Sequence, residues 1–240
     1  MGSRARRDGR QDPGQGDPQR DLRALTAFAF FQAYGEDIAT LVWQHLLVVL
    51  WALPLAAVVA LGAGLAFADR PRGAAVALGV ANVLTTVPSV ALFGLLIPLL
   101  GSLGLGVGRP PAILAVALYS VLPILRNAIV GLRGVDPAVI EAARAMGLPD
   151  AAITWRVRLP LALPVILAGV RTAVVMGIGI TAIAAYVGAG GLGRWVFGGI
   201  RRSYPEMALA GALLISALAF AGDAVLAWAQ RLAGRRLGLA

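Results

Sequence analysis

The stretch that decides the fold reads Asp136-Pro137-Ala138-Val139-Ile140-Glu141-Ala142-Ala143-Arg144-Ala145-Met146-Gly147. Asp136 can accept hydrogen bonds from the free N–H groups of a first helical turn, and Pro137 suits the first helical position. Gly147 supplies the end, because a residue without Cβ adopts the left-handed closing conformation at low cost. The sequence therefore predicts a short capped helix of about three turns, at a membrane surface between two apolar segments.

The composition indicates a membrane protein rather than a soluble domain. Of the 240 residues, 59% are hydrophobic and only 14% are charged, far from the balance of a soluble protein. The sequence has no Cys and one His, His45, too few for disulfides, iron–sulfur clusters or imidazole-based zinc sites. All 21 basic residues are Arg, so the lysine of a phosphate-binding P-loop is missing. We therefore expect no metal, no cofactor and no catalytic residue in this chain.

The formal net charge of +9 does not indicate a nucleic-acid partner. Basic surfaces that bind nucleic acid form a contiguous soluble face with interleaved aromatic residues. Here the Arg residues cluster at the ends of apolar segments, as positive-inside topology produces. The expected surroundings are membrane lipid, with no nucleic acid.

Five apolar segments are long enough to cross a bilayer, since about 20 apolar residues span the hydrocarbon core. They lie at about residues 46–68, 74–100, 111–132, 161–187 and 207–229. The second is interrupted by Thr85-Thr86-Val87-Pro88-Ser89 and is predicted to be one tilted or kinked helix. Residues 1–36 are predicted to be a disordered polar tail and an interfacial segment, the latter extending over residues 25–44. Residues 37–230 form the membrane domain, and residues 231–240 form a short basic tail.

The Arg distribution predicts the orientation in the membrane. If the capped helix is cytoplasmic, the turn at residues 69–73 and the C-terminus are cytoplasmic as well. These three regions carry Arg70, Arg72, Arg133, Arg144, Arg156, Arg158, Arg231, Arg235 and Arg236, whereas the opposite loops carry Arg109, Arg194, Arg201 and Arg202. The bias has the sign of the positive-inside rule. A sixth span, which would move the N-terminal tail to the other side, is left open.

The polar segment resembles the EAA loop of ABC importer permeases, the type I transmembrane subunits. The matching residues are Glu141-Ala142-Ala143, Gly147 six positions after the glutamate, and Val157-Arg158-Leu159-Pro160. Val157 stands where the family usually has Ile. The loop also lies between the third and fourth of five core helices, as in the family. The resemblance implies an all-α membrane protein with the five-span core of the type I ABC importer (MetI-like) fold and a cytoplasmic coupling-helix loop.

Three further stretches resemble the osmoprotectant branch of that family, the permeases for glycine betaine, choline and carnitine. They are Thr86-Val87-Pro88-Ser89, Leu122-Pro123-Ile124-Leu125-Arg126-Asn127 and Val187-Gly188-Ala189-Gly190-Gly191-Leu192-Gly193. The resemblance covers residues 37–229. It implies a multi-pass subunit of the bacterial cytoplasmic membrane that forms the translocation path for such an osmoprotectant.

The family also implies partners and a role for the loop. The helix would dock in a groove of a separate ABC ATPase subunit, which binds the ATP, with the alanines keeping the helix slim enough for close approach. Two permease subunits, identical or related, would rock between outward- and inward-open states, and an extracytoplasmic binding protein would deliver the cargo. The implied docking residues are Asp136, Glu141, Ala142, Ala143, Gly147, Leu159 and Pro160.

Polar residues inside the apolar segments are candidates for the translocation path or for a subunit interface. They are Pro88, Ser89, Arg126, Asn127, Arg171 and Asp223. Arg171 lies well inside the fourth segment, where a charge is costly. One interpretation places it on the path, and the other pairs it structurally with Asp223 or lets it reach the interface. Arg126 lies nearer a segment end and is expected to reach the interface.

Three alternatives remain open at this point. The mechanism could serve another cargo, such as methionine, another amino acid or a small anion. A secondary transporter driven by an ion gradient would need several buried acidic residues, and only Asp223 lies clearly inside an apolar segment. A membrane enzyme would need paired carboxylates, a His cluster or a Ser–Lys pair in those segments, and none is present in the sequence.

Overall fold

The computed structural model describes residues 35–236, except for the side chain of Arg236. The predictions for residues 1–34 and 237–240 therefore lie outside the described residues. The chain divides into two units, residues 1–39 and 40–240. Of the first unit only the opening turns of a helix are described. The architecture below is that of the second.

Every regular element in residues 35–236 is helical. The α-helices are α1 (Gly35–Phe67), α2 (Pro71–Thr86), α3 (Ser89–Gly101), α4 (Arg109–Arg133), α5 (Pro137–Ala145), α6 (Asp150–Ile153), α7 (Leu159–Ile183), α8 (Gly193–Arg201) and α9 (Pro205–Arg236). A π-helical turn (Thr154–Arg158) joins α6 to α7, and a 3₁₀ turn (Ala184–Val187) follows α7. The all-α fold class predicted from the sequence is confirmed.

The first membrane segment differs from its prediction at its beginning. Residues 35–44, predicted as part of a separate interfacial segment, continue directly into the apolar helix α1. Glu36 and Asp37 lie in its first turn, where the positive end of the helix dipole favours carboxylates. Because no Pro or Gly follows until Pro54, nothing interrupts the helix between the acidic pair and the apolar segment.

The second predicted segment is broken rather than kinked. Helices α2 and α3 meet at an angle of 97° around Val87 and Pro88. Pro88 lacks an N–H group and drives the preceding residue out of helical geometry, and Val87 accordingly has extended angles (φ −67°, ψ 123°). The hydroxyls of Thr85 and Thr86 donate to the carbonyls of Asn82 and Val83 in the last turn of α2. The prediction of a single tilted or kinked helix is therefore wrong, because the segment forms two separate helices.

Four helices, α1, α4, α9 and the continuous stretch from α6 through α7, are long and apolar enough to cross a bilayer. The bent pair α2–α3 makes a fifth if it crosses as one broken segment. Within residues 35–236 the structure thus allows the five segments predicted. The fourth begins earlier than predicted, because the π-helical turn leads without a break into α7.

Helix α4 is the centre of the bundle and packs most extensively against α7. Its buried residues alternate small and large side chains, including Ala112, Ala115, Val116, Ile124 and Leu125. A Cβ at Gly169 of α7 would lie 2.6 Å from the carbonyl oxygen of Pro123 on α4. Small residues therefore let these two backbones approach closely, as is usual between helices in a membrane. This helix pair carries the polar loop, residues 134–158, between its ends.

Candidate functional site

Helix α5 is capped at both ends as the sequence predicts. The carboxylate of Asp136 accepts a hydrogen bond from the N–H of Ala138 at 2.8 Å. At the other end Gly147 is left-handed (φ +80°), and the N–H of Leu148 donates to the carbonyl of Ala143 at 3.2 Å. This pattern is a Schellman motif, which satisfies the last carbonyls of a helix. The helix can therefore keep its ends without support from a partner.

One face of α5 presents apolar side chains to the surroundings. Val139, Ala142 and Met146 are spaced at i, i+3 and i+7 and are exposed, Met146 to 73%. Glu141 is exposed on the same short helix. The opposite face is closed, since Ala143 is buried within this chain. Of these two predicted docking residues, Ala142 is therefore exposed and Ala143 is not.

Arg158 ties the polar loop to two other parts of the bundle. Its two Nη atoms donate to the two carboxylate oxygens of Asp69, in the turn between α1 and α2, at 2.6 Å each. Its Nε donates to the carbonyl oxygen of Leu132, at the end of α4, at 2.8 Å. We call these three bonds the Arg158 clamp. Such bidentate pairing fixes geometry as well as charge.

A second guanidinium strengthens the same junction. Nε of Arg133, the last residue of α4, donates to the carbonyl oxygen of Ala68 at 2.6 Å. The Arg158 guanidinium, with a lesser contribution from Arg133, holds the pKa of the Asp69 carboxyl below its ordinary value. The ends of α1, α4 and α7 are thus held together beside the polar loop.

Leu159 and Pro160 stand at the start of α7, directly after Arg158. Pro160 is the second residue of α7 and lies within the continuous helical stretch that begins at Asp150. The fourth apolar segment therefore follows Arg158 of the clamp directly.

The break between α2 and α3 opens a cleft of about 390 Å³. Pro88 and Ser89 lie in its wall, opposite Met176 and Ile180 of α7. The hydroxyl of Tyr119, on α4, donates to the carbonyl of Val87, which the break has left without a helical partner. Two of the residues predicted for the path therefore line an open cleft.

Arg171 and Asp223 form the pair predicted from the sequence. Nε and Nη2 of Arg171 donate to the two Asp223 carboxylate oxygens at 2.9 and 2.8 Å. Its Nη1 also donates to Oε1 of Gln230 at 3.2 Å. The contacts join α7 to α9 and balance the charge of both groups inside the apolar segment.

Arg126 and Asn127 occupy different surroundings although they are neighbours on α4. Arg126 is exposed. The Asn127 side chain donates to the carbonyl of Pro123 at 2.9 Å and lies at the close approach of Gly169. The structure therefore does not bring these two residues together with Pro88 or with Arg171 in one site.

At the other end of the bundle, residues 188–193 form a glycine-rich turn that we call the glycine loop. Oε1 of Gln44, on α1, accepts a hydrogen bond from the N–H of Gly191 at 3.0 Å. The neighbouring His45 is fully buried, and its Nε2 lies 2.9 Å from the carbonyl oxygen of Ile178. Gly190 is left-handed (φ +81°), and a Cβ there would lie 2.1 Å from Gln44 Oε1. The glycines thus allow the loop to close on α1.

Sequence reasoning missed the residues that hold the two ends together. Asp69 and Arg158 are 89 positions apart, and Gln44 and Gly191 are 147 apart, so no local motif links them. The available signal was an acidic residue in a turn assigned to the same side as the loop. In the described part of the chain, no three His, Cys, Asp or Glu side chains are placed to share a metal ion.

A bundle of helices long and apolar enough to cross a bilayer, with a capped and exposed helix between its central segments, defines a helical membrane protein. The chain belongs to the family described as binding-protein-dependent transport system inner membrane component, whose model matches residues 52–238. The match covers nearly all of the bundle, including α5 and the Arg158 clamp.

Curated relatives belong to the same kind of transport system. The osmoprotectant import permease protein of Salmonella typhimurium is 46% identical over 187 residues, 78% of this chain and 86% of that protein. The carnitine transport permease protein of Listeria monocytogenes is 40% identical over 79% of this chain and 85% of its own length. The choline transport system permease protein of Bacillus subtilis is 39% identical over 84% and 91%. The resemblance to ABC importer permeases noted from the sequence is confirmed.

Solved structures show the same fold. A chain of the inward-facing MetNI methionine ABC transporter superposes with a TM-score of 0.65 at 24% identity, covering 79% of this chain and 94% of that one. A chain of an amino acid ABC transporter crystallised with histidines gives 0.63 at 19% identity, covering 92% and 99%. At these identities the similarity concerns the fold, which is that of the type I importer core.

Proposed function

We propose that this chain is the permease subunit of an ATP-driven importer and forms the translocation path for a small osmoprotectant such as glycine betaine, choline or carnitine. Three relatives at 39–46% identity, named for choline, carnitine and osmoprotectant transport, support this cargo class. The subunit has no catalytic residue of its own. ATP is bound and hydrolysed by a separate subunit.

The exposed face of α5 is the observation that carries the proposal. Val139, Ala142 and Met146 form a short apolar stripe, the pattern by which an amphipathic helix occupies a groove on another protein. The caps at Asp136 and Gly147 hold the helix in shape before any partner arrives. The partner is the ATPase subunit, with Glu141 beside the stripe to pair with a basic group or a backbone donor.

The Arg158 clamp gives the docked helix a route into the membrane domain. A displacement of α5 is transmitted to the α1–α2 turn through Asp69 and to the end of α4 through the Leu132 carbonyl. The same displacement is transmitted to α7 at Leu159. The helices therefore move as a unit, and two permease subunits rock between outward- and inward-open states.

The proposed location is the bacterial cytoplasmic membrane, with the polar loop and the C-terminus on the cytoplasmic side. Asp69 of the α1–α2 turn pairs with Arg158 of the polar loop. This contact supports placing the turn and the loop on the same side of the membrane. The arginines assigned to that side agree with the positive-inside rule. A second permease subunit, identical or related, and an extracytoplasmic binding protein complete the importer.

Docking is tested by changing the exposed face of α5. Met146→Asp and Glu141→Ala should lower both copurification of the ATPase subunit and uptake, by about tenfold for the charge placed on an apolar contact. Gly147→Val should act in the same direction, because the left-handed cap is strained with a β-branched side chain. Arg72→Gln, an exposed change in the first turn of α2, is the matched control. Normal association and uptake with Met146→Asp and Glu141→Ala would refute docking through α5.

The cargo is tested separately with the intact importer. We expect uptake of labelled glycine betaine, choline or carnitine in cells that express the permease, its ATPase and its binding protein. Uptake of methionine, another amino acid or a small anion instead would overturn the osmoprotectant assignment and leave the docking mechanism standing.

A further inference from the structure

A basic cleft lies between α7 and the last turns of α9 and shares no lining residue with the cleft at Pro88. It has a volume of about 560 Å³ and is open to the surroundings. Its polar lining comes from Arg171, Gln230, Arg231 and Arg235. The remaining lining is small and apolar, so guanidinium groups dominate its chemistry.

The positive charge of this cleft is only partly balanced within the chain. Arg171 is neutralised by the two bonds to Asp223 and is held further by Gln230. Arg231 and Arg235 are exposed and four positions apart, so they lie on one face of α9. Among residues 35–236, no carboxylate lies within ion-pair distance of either of them. The cleft therefore carries positive charge that an anion can match.

The surroundings place the cleft at the edge of an apolar surface. Trp228, less than one turn before Arg231, is 61% exposed, and Val225 is 62% exposed on the same helix. Exposed tryptophan beside arginine at the end of a membrane helix is typical of the headgroup level of a bilayer. At 1.5 Å per residue, Arg231 lies only about 4.5 Å along the axis from Trp228. The anion that reaches this level in a membrane is a phospholipid headgroup.

We propose that the cleft between α7 and α9 binds the phosphate of an anionic phospholipid. The guanidinium groups of Arg231 and Arg235 hold the phosphate oxygens, since planar guanidinium forks match phosphate geometry. The acyl chains lie along the exposed apolar face of α9. The bound lipid joins the ends of α7 and α9 beside the Arg171–Asp223 pair.

The test uses the purified full chain in detergent, titrated with phosphatidylglycerol while thermal stability is recorded. The double variant Arg231→Gln/Arg235→Gln should weaken the apparent affinity roughly 25-fold, because each basic side chain near a lipid surface contributes about fivefold. The matched control is Arg201→Gln/Arg202→Gln, which removes the same charge from exposed residues at the end of α8. The control should bind phosphatidylglycerol like the unchanged chain. Phosphatidylcholine, titrated in parallel, should stabilise neither.

Other results overturn the proposal. Equal weakening in both double variants would mean that net charge, not this cleft, attracts the lipid. An unchanged affinity in Arg231→Gln/Arg235→Gln would mean that the lipid binds elsewhere or not at all. Inorganic phosphate that stabilises as strongly as the lipid, against sodium chloride of equal ionic strength, would assign the cleft to a free anion. None of these measurements needs the ATPase or the cargo, so they stand apart from the proposed transport function.

Discussion

The two ends of the bundle are held together by different chemistry. Beside the polar loop, charged groups make the contacts, with Arg158 bridging Asp69 and the Leu132 carbonyl. The Asp69 side chain in that clamp is 70% exposed. Beside the glycine loop, Gln44 and the buried His45 contact the backbone instead. There the close contact between α1 and the glycine loop depends on glycine residues, which have no Cβ.

This difference predicts which end of the bundle can change its conformation. The Asp69–Arg158 pair can break and re-form at modest cost on its Asp69 side, since that carboxylate is largely exposed and water solvates it when the pair separates. A contact between backbones has no such alternative, because added atoms must displace a neighbour in a close-packed interior. In the proposed transport cycle the clamp end therefore moves, and the glycine-loop end serves as the rigid part.

The largest expected effect comes from the rigid end. A Cβ at Gly193 would lie 1.8 Å from the carbonyl oxygen of Ala182. Because that atom belongs to the backbone, Gly193→Ala should destabilise the folded chain by about 3 kcal/mol or more. The thermal midpoint in detergent should fall by on the order of 10 °C. The measurement is thermal unfolding followed by circular dichroism.

The matched control is Gly94→Ala in α3, where an added Cβ meets nothing within 4 Å. That change should be neutral or slightly stabilising, since Ala is the better helix former. A Gly193→Ala protein as stable as Gly94→Ala would contradict the rigid packing assigned to this end.

The next effect concerns the Arg158 clamp. Arg158→Ala removes three charge-assisted bonds and should cost about 2 kcal/mol of stability. In a double-mutant cycle with Asp69→Ala, the coupling energy should be about 1 kcal/mol, above that of most exposed pairs. In the reconstituted importer, Arg158→Ala should also lower cargo moved per ATP hydrolysed while the ATPase subunit still associates.

Arg156→Ala provides the control, because Arg156 is exposed and lies on the same π-helical turn. It should leave stability and the ratio of cargo to ATP unchanged. A coupling energy near zero in the Asp69–Arg158 cycle, or an unaltered ratio in Arg158→Ala, would show that the clamp transmits no motion.

The same comparison explains how much could be predicted from the sequence. The capped helix α5 could be predicted because Asp136, Pro137 and Gly147 act within a few residues of one another. The pairing of Arg171 could be predicted as well, since Asp223 is the one acidic residue clearly inside an apolar segment. The first inference rests on residues that are close in the sequence, and the second on the lack of another acidic residue that could pair with Arg171.

Contacts between residues that are far apart in the sequence could not be predicted. The polar residues at 85–89 indicated an interruption, but nothing local in the sequence indicated its 97° angle or the hydrogen bond from Tyr119 to Val87, 32 positions apart. The Gln44–Gly191 contact depends on how α1 packs against α7, and a uniformly apolar helix shows no preferred face in its sequence. The docking role of α5 and the full set of path residues therefore stay predictions.

The smallest expected effect is the pH dependence of the clamp. The Arg158 guanidinium lowers the pKa of Asp69 in the folded chain. In the unfolded chain the carboxyl has its ordinary value of about 3.9. Below about pH 4 the unfolded state therefore takes up the proton first, and the clamp's stabilisation is lost as the pH falls through the lower, folded value. Above that range the stabilisation is complete and does not vary with pH.

Asp69→Asn should remove this dependence, so its thermal midpoint should lie below that of the unchanged chain at pH 7 and approach it at pH 3. The difference should correspond to at most about 1 kcal/mol, because Asp69 is mostly exposed. The control is Asp150→Asn, which breaks a more exposed pair with Arg144, whose side chains are 84% and 62% exposed. At pH 7 its offset from the unchanged chain should be smaller than that of Asp69→Asn. Parallel curves for Asp69→Asn and the unchanged chain would mean that Arg158 does not hold the Asp69 carboxylate in solution, and that the movable end of the bundle is joined by the backbone contacts of Arg133 and Arg158 alone.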